Sequence, residues 1–268
     1  MLDTVAREGL VLLGCGKMGT ALLTGWLAAG VPASSVWVIE PNPTDWLKAS
    51  GVHLNEGVPP APAVALLAVK PQMMGAALPA LQALGNGKTL FVSIAAGTSI
   101  ATFEAALGER TPIVRTMPNT PAMVGRGITG ICANAAGQSG LQMAKALMEA
   151  VGEVVELGGE HQIDAVTGVS GSGPAYVFHL IEAMAAAGVA EGLSPDVAMK
   201  LARATVCGAG ELAYRSPETA AQLRINVTSP AGTTAAALAH LMDPETGLPP
   251  LMLRAVHAAA ERGRELGK

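Results

Sequence analysis

Aromatic residues are nearly absent from this chain, which has three Phe, three Trp and two Tyr among 268 residues. A core with so few rings must close through aliphatic side chains and close backbone approaches, and the 32 glycines suit that. Cysteine is scarce as well. Cys15, Cys132 and Cys207 are odd in number, far apart and without ligand spacing, so neither a disulfide framework nor a metal site is indicated. Charged residues make up 14% of the chain and the net charge is −4, which leaves no basic face for nucleic acid. No unbroken apolar run reaches the roughly 18–20 residues of a membrane span. Asp3, Arg7 and Glu8 stand where a secretory leader would carry its apolar core. These absences predict a soluble, cytoplasmic protein that binds neither nucleic acid nor membrane. What is present is a half-hydrophobic chain of two-domain length, apolar enough to bury a face in an oligomer.

The first half alternates short apolar runs with helix signals. Residues 9–13 lead into Gly14-Cys15-Gly16-Lys17-Met18-Gly19, and an apolar helical face follows as far as Gly30. Strand, GxGxxG and helix in that order form the context of a dinucleotide fingerprint. Gly14 allows the tight turn, Gly16 lets the backbone approach the pyrophosphate, and Gly19 lets the helix pack closely. The helix N-terminus then stabilises the phosphate charge. A second strand at 35–39 ends in Glu40, about 20 residues past the last motif glycine, where an acid takes the adenosine ribose hydroxyls. A carboxylate there repels a 2′-phosphate, so the cofactor choice leans to NADH over NADPH. Further strands are expected at 63–69, 89–94, 112–116, 128–133 and 153–157, with helices at 71–84, near Thr98 or Ser99, and at 138–150. The predicted fold is an α/β Rossmann-type doubly wound sheet over residues 1–160. Lys70 ends the third of these strands, as electrostatic support for the cofactor or as a solvated end.

From residue 161 helices take over, giving an all-α C-terminal domain over 161–268. They are expected at 176–188, at 195–213 capped by Ser194, after a cap at Ser216, at 235–242 and at 250–266. By composition alone, Ser170-Gly171-Ser172-Gly173 is a flexible tether. The helix signals on both sides, including Pro174, argue instead for an ordered wall of the site, with Ser172 facing the substrate pocket. The turn at 228–234 brings Thr228, Ser229, Gly232, Thr233 and Thr234 to the start of a helix, a ready carboxylate site. His53, His161, His179, His240 and His257 are isolated and form no ligand or triad pattern. Two other readings stay open on the residues alone. A β-hydroxyacid dehydrogenase or imine reductase shares the plan, although 176–188 offers only His179 and Glu182 as acids. A non-catalytic nucleotide-sensing protein would keep the glycine motif but has no use for the hydroxyl-rich turn.

The motifs together resemble the pyrroline-5-carboxylate reductase family. The resemblance rests on GCGKMG at 14–19, LAVKP at 67–71, IAAG at 94–97 and RTMPNTPA at 115–122. It rests most on DAVTGVSGSGPAY at 164–176 and VTSPAGTT at 227–234. It implies hydride transfer from NAD(P)H to the C=N bond of 1-pyrroline-5-carboxylate, giving L-proline in the last step of proline biosynthesis. It also implies a homodimer with interlocked helical domains, in some members gathered into a decamer, each active site lying between one copy's nucleotide domain and the other's helices. The implied cofactor contacts are Gly14, Cys15, Gly16, Lys17, Met18, Gly19, Asn55, Ala68, Val69, Lys70, Pro71, Ala95, Ala96 and Gly97. The implied substrate contacts are Ser229, Gly232, Thr233 and Thr234, with Thr234 as proton donor. Two positions depart from the family pattern. Ala231 stands in the usual SPGG, which strains the backbone if that position needs a positive φ. Glu40 replaces the small polar or basic residues of NADPH-preferring members.

Overall fold

The computed structural model describes residues 1–267. Its contacts divide into two compact units, Met1–Gly171 with the segment from Ala259 onward, and Ser172–Ala258. The first unit is built on an eight-stranded sheet. In chain order its strands are β1 Leu10–Leu13, β2 Val36–Ile39, β3 His53–Leu54 and β4 Val64–Leu67, then β5 Leu90–Ser93, β6 Ile113–Met117, β7 Gly127–Ala133 and β8 Gly152–Glu156. They lie in the order β3-β2-β1-β4-β5-β6-β7-β8. Every neighbouring pair is parallel except β6 with β7. The helices of this unit are α1 Leu2–Glu8, α2 Lys17–Ala28, α3 Asp45–Lys48, α4 Pro71–Ala77, α5 Ile100–Leu107, α6 Leu141–Glu149 and α7 Ile163–Val166.

Parallel strands covered on both faces need apolar side chains at successive positions, and β1, β4 and β5 are buried throughout. Their residues alternate between two cores. Leu10 and Leu12 pack with Trp26 and Leu147 on one face, while Val11 and Leu13 pack with Phe91 and Phe103 on the other. Three of the eight rings, Trp26, Phe91 and Phe103, are thus spent at full burial. Trp26 is fully buried, and its indole N–H donates to the Leu147 carbonyl at 2.9 Å. Expected strands match to within two residues at each end. The helix expected over 71–84 instead tightens into a 3₁₀ turn at Leu78–Leu84, where Pro79 removes an N–H. Neither α1 nor the short β3 was expected.

By contacts the first unit runs on through Gly171. Ile163 is only 1% exposed within the sheet's second core, and Val166 lies against Gly130 of β7, so the chain leaves that core late. Thr167–Gly171 form a π-helical turn that continues α7. Thr167 Oγ1 donates to the Ile163 carbonyl and Ser170 Oγ to the Val166 carbonyl. The Gly/Ser joint is therefore helical, and the compositional reading of it as a tether is wrong.

The second unit holds α8 Gly173–Ala190, α9 Pro195–Arg215, α10 Ala220–Asn226, α11 Thr233–Leu241 and the start of α12, Leu248–Leu266. α8 and α9 pair through Ala185, Ala198 and Ala202. α10 is capped by Thr219, which accepts from the Gln222 N–H, and not by Ser216. Ser216 Oγ instead accepts from the Glu218 N–H in the preceding turn.

Glu160–Ala190 counts as one helical stretch of 31 residues with mean hydropathy 1.2 and 6% of its apolar window buried within the chain. By length and composition it is long and apolar enough to cross a membrane, which corrects the expectation of no such segment. The expectation counted unbroken apolar residues, whereas Gly and Ser interrupt this run without ending the helix.

Candidate active site

Strands β1 to β6 all run parallel and end at one edge of the sheet, and the chain order reverses between β1 and β4. That reversal is the switch point where open α/β sheets bind ligands. Gly14 follows β1 with φ +88°, and an added methyl would stand 2.8 Å from Val69 Cγ1 and 3.0 Å from the Ala68 carbonyl oxygen. Gly19 opens just as little room, since a methyl there would meet the Gly14 carbonyl oxygen at 2.7 Å. Gly16 differs from both. Nothing lies within 4 Å of its missing methyl, so its backbone faces open space at the N-cap of α2. The two crowded glycines shape the turn and the open one leaves a cradle that a side chain would fill. This pattern fits a pyrophosphate. Lys17 and Met18 begin α2 beside it.

Glu40 reaches this turn directly. Its Oε2 accepts from the Cys15 N–H at 2.8 Å and its Oε1 from the Asn42 N–H at 2.9 Å. The carboxylate is thereby fixed between the ends of β1 and β2. Asn55, in the left-handed region at φ +57°, clamps the Glu40 backbone from both sides. Its Oδ1 accepts from the Glu40 N–H and its Nδ2 donates to the Glu40 carbonyl, each at 2.9 Å. Cys15 is buried. Burial, and secondarily the Glu40 charge, push its thiol above the ordinary range against a lowering contact from Thr20. It is a packed neutral thiol, not a nucleophile.

On the other side of β1, Ala68 N–H donates to the Leu13 carbonyl and Ile94 N–H to the Leu67 carbonyl. These bonds set Ala68-Val69-Lys70-Pro71 and Ala95-Ala96-Gly97 side by side along the same edge. Pro71 occupies the first turn of α4, and Lys70 is exposed. Ser99 caps α5 and accepts from the Thr102 N–H. Two supports here had no assigned role in the sequence. Glu160 Oε1 accepts from the Ile100 N–H at 2.7 Å and from Arg115 Nη1 at 2.6 Å. Asn119 Oδ1 accepts from the Ile128 N–H while its Nδ2 donates to the Ser170 carbonyl, tying RTMPNTPA to the π turn. Cys132, near this ion pair, is pushed up to about 11, first by burial and then by the Glu160 charge.

The turn before α11 belongs to the second unit. Gly232 is the N-cap residue, and no side chain caps the helix. Ser229 sits directly beneath it, because a methyl on Gly232 would stand 2.4 Å from Ser229 Oγ. Thr228 Oγ1 donates to the Arg224 carbonyl at 2.6 Å and so faces inward. Ala231 has φ +57°, the left-handed conformation that favours glycine.

Residues 160–266 match the family model described as pyrroline-5-carboxylate reductase dimerisation. Residues 10–97 match the model of coenzyme F420-dependent NADP oxidoreductases. The pyrroline-5-carboxylate reductase of Pseudomonas aeruginosa is 41% identical over 97% of this chain and 97% of its own. The chain belongs to the pyrroline-5-carboxylate reductase family. Solved family structures agree in fold. A pyrroline-5-carboxylate reductase from Coxiella burnetii superposes with TM-score 0.90 at 34% identity, covering 97% of this chain and 99% of that one. The pyrroline carboxylate reductase of Plasmodium falciparum, solved with NADP bound, gives 0.83 at 28% identity over 98% of this chain and 99% of that one. The expected fold and reductase reading are those of the family, and its cofactor is a nicotinamide dinucleotide.

Proposed function

We propose that this reductase uses NADH in preference to NADPH to convert 1-pyrroline-5-carboxylate to L-proline. The observation that carries the reading is the uncapped N-terminus of α11 inside a turn of Ser229, Gly232, Thr233 and Thr234. Its free N–H groups and the helix dipole suit the substrate carboxylate. Bound in the first unit, the cofactor supplies the hydride taken up at the imine carbon. The chain itself holds and orients. Gly14, Cys15, Gly16, Lys17, Met18 and Gly19 would hold the pyrophosphate, and Glu40 the adenosine ribose hydroxyls. Asn55 acts on that ribose site through the Glu40 backbone. Ala68, Val69, Lys70 and Pro71, with Ala95, Ala96 and Gly97, would line the nicotinamide end.

Ser229, Gly232 and Thr233 would hold the carboxylate, and Ser172 would line the pocket. Thr234 Oγ would donate to, or orient, the ring nitrogen. No Asp, Glu or His occurs in 227–234, which suits an imine that takes its proton from solvent. Positioning then supplies most of the rate. The exposed apolar residues of α8 and α9, among them Phe178, Leu180 and Leu201, support a homodimer through the helical domain of 161–268, in the cytoplasm, with a decamer as a further assembly.

The test is oxidation of NADH and of NADPH by the purified protein with 1-pyrroline-5-carboxylate, together with proline release. Turnover with NADH favoured supports the reading. No turnover with either cofactor overturns it.

A further inference from the structure

The loop after β5 is backed by the end of α12. Gly97 has φ +74°, and a methyl added there would stand 2.9 Å from Leu266 Cβ and 3.1 Å from the Leu266 carbonyl oxygen. A methyl on Gly267 would in turn stand 3.2 Å from the Gly97 carbonyl oxygen. One turn earlier, Gly263 is buried against Asp164 of α7, and Ala260 is 5% exposed. Ala260, Gly263 and Gly267 fall on one face of the helix end and let it lie this close. Three residues past Gly97, at the start of α5, Glu160 takes the Ile100 N–H and ties it to Arg115 of β6. The loop's α5 side is therefore held at two points, by groups that no sequence motif marks.

We infer that the last turn of α12, through Leu266, is a positioning element for the loop Ala95-Ala96-Gly97. The inference rests on the proposed reading of that loop as a nicotinamide-side contact. Leu266 touches the loop and acts through Gly97. Strand order says which half of the cofactor responds. The glycine turn and Glu40 serve β1 and β2, whereas β5 lies two strands from β1 in the opposite direction. Adenosine and pyrophosphate are bound on the β1–β2 side, so only the nicotinamide half reaches the loop.

Calorimetric dissociation constants for NADH and for ADP test this on the full protein, on a chain ending at Arg264 and on Leu266→Gly. The variants are expected to weaken NADH binding about tenfold and ADP binding less than about twofold. Partial misfolding lowers the competent fraction for both ligands alike, so the ratio of the two constants still answers for a destabilised variant. An unchanged ratio in both variants overturns the positioning role. A full-length protein that binds ADP but not NADH overturns the nicotinamide-side reading on which it rests. One that binds neither overturns the cofactor site as a whole.

Discussion

Ala231 holds a conformation that costs an L-residue roughly 1–2 kcal/mol, at the turn that would receive the substrate carboxylate. Ala231→Gly should relieve that strain and lose about 0.4–1 kcal/mol through the freer unfolded chain. The net expectation is a melting temperature higher by about 1–4 °C, and a lower one would show that the methyl stabilises the turn. Glu40 tests the cofactor choice. Glu40→Gln removes the charge and retains an acceptor for the Cys15 N–H, at the cost of the one its Oε1 gives the Asn42 N–H. The ratio of kcat/KM for NADPH to that for NADH should then rise about tenfold, and an unmoved ratio would remove the carboxylate from discrimination. Thr234→Ala should lower kcat/KM by roughly tenfold or more, with the 10²–10⁴ of acid catalysis as an upper bound. Wild-type activity in that variant would take Thr234 out of the mechanism. Glu40 was legible because its place after β2 is set by chain distance from the glycine motif. Its bond to the Cys15 N–H was not, because that depends on how the ends of β1 and β2 meet.

At the scale of elements, the glycine turn separates shape from access. Gly16→Ala adds a methyl to open space at φ −69°, so the melting temperature should stay within about 1 °C while NADH affinity falls. Gly19→Ala drives a methyl to 2.7 Å from the Gly14 carbonyl oxygen, a backbone atom that cannot swing away. It should cost both affinity and about 1–3 kcal/mol of stability. Thermal melts with and without NADH distinguish the two, and equal behaviour would contradict the division of roles. The strands were legible from continuous apolar runs such as AVALLAV, because burial on both faces leaves no other pattern for them. The joint at 170–173 was harder. Gly and Ser signal coil by propensity, yet Ser170 and Gly171 close a π turn whose hydroxyls bond back to the preceding helix, and Ser172 and Gly173 open α8. The α10 cap shifted for a related reason, since Ser216 and Thr219 are both good caps and packing selected one.

At the scale of the whole molecule, the described chain leaves Val177, Phe178, Leu180, Leu201 and Leu253 largely exposed in its helical unit. Patches of that kind mark an interface, and Phe178→Glu should move the sedimentation equilibrium toward monomer. An unchanged assembly would place the interface elsewhere. The chain positions of seven of the eight strands, the glycine fingerprint, the acid after β2 and the hydroxyl-rich turn at 228–234 were determined by sequence alone. Each is a local pattern, in which neighbouring residues share a face, a turn or a helix end. The clamp of Asn55 on Glu40, the grip of Glu160 on Ile100 and the seat of Leu266 against Gly97 were decided only by tertiary structure. Their partners lie 15, 60 and 169 residues apart in the chain. Nothing in a local pattern can specify such contacts, because they exist only once the sheet and its covering helices have assembled.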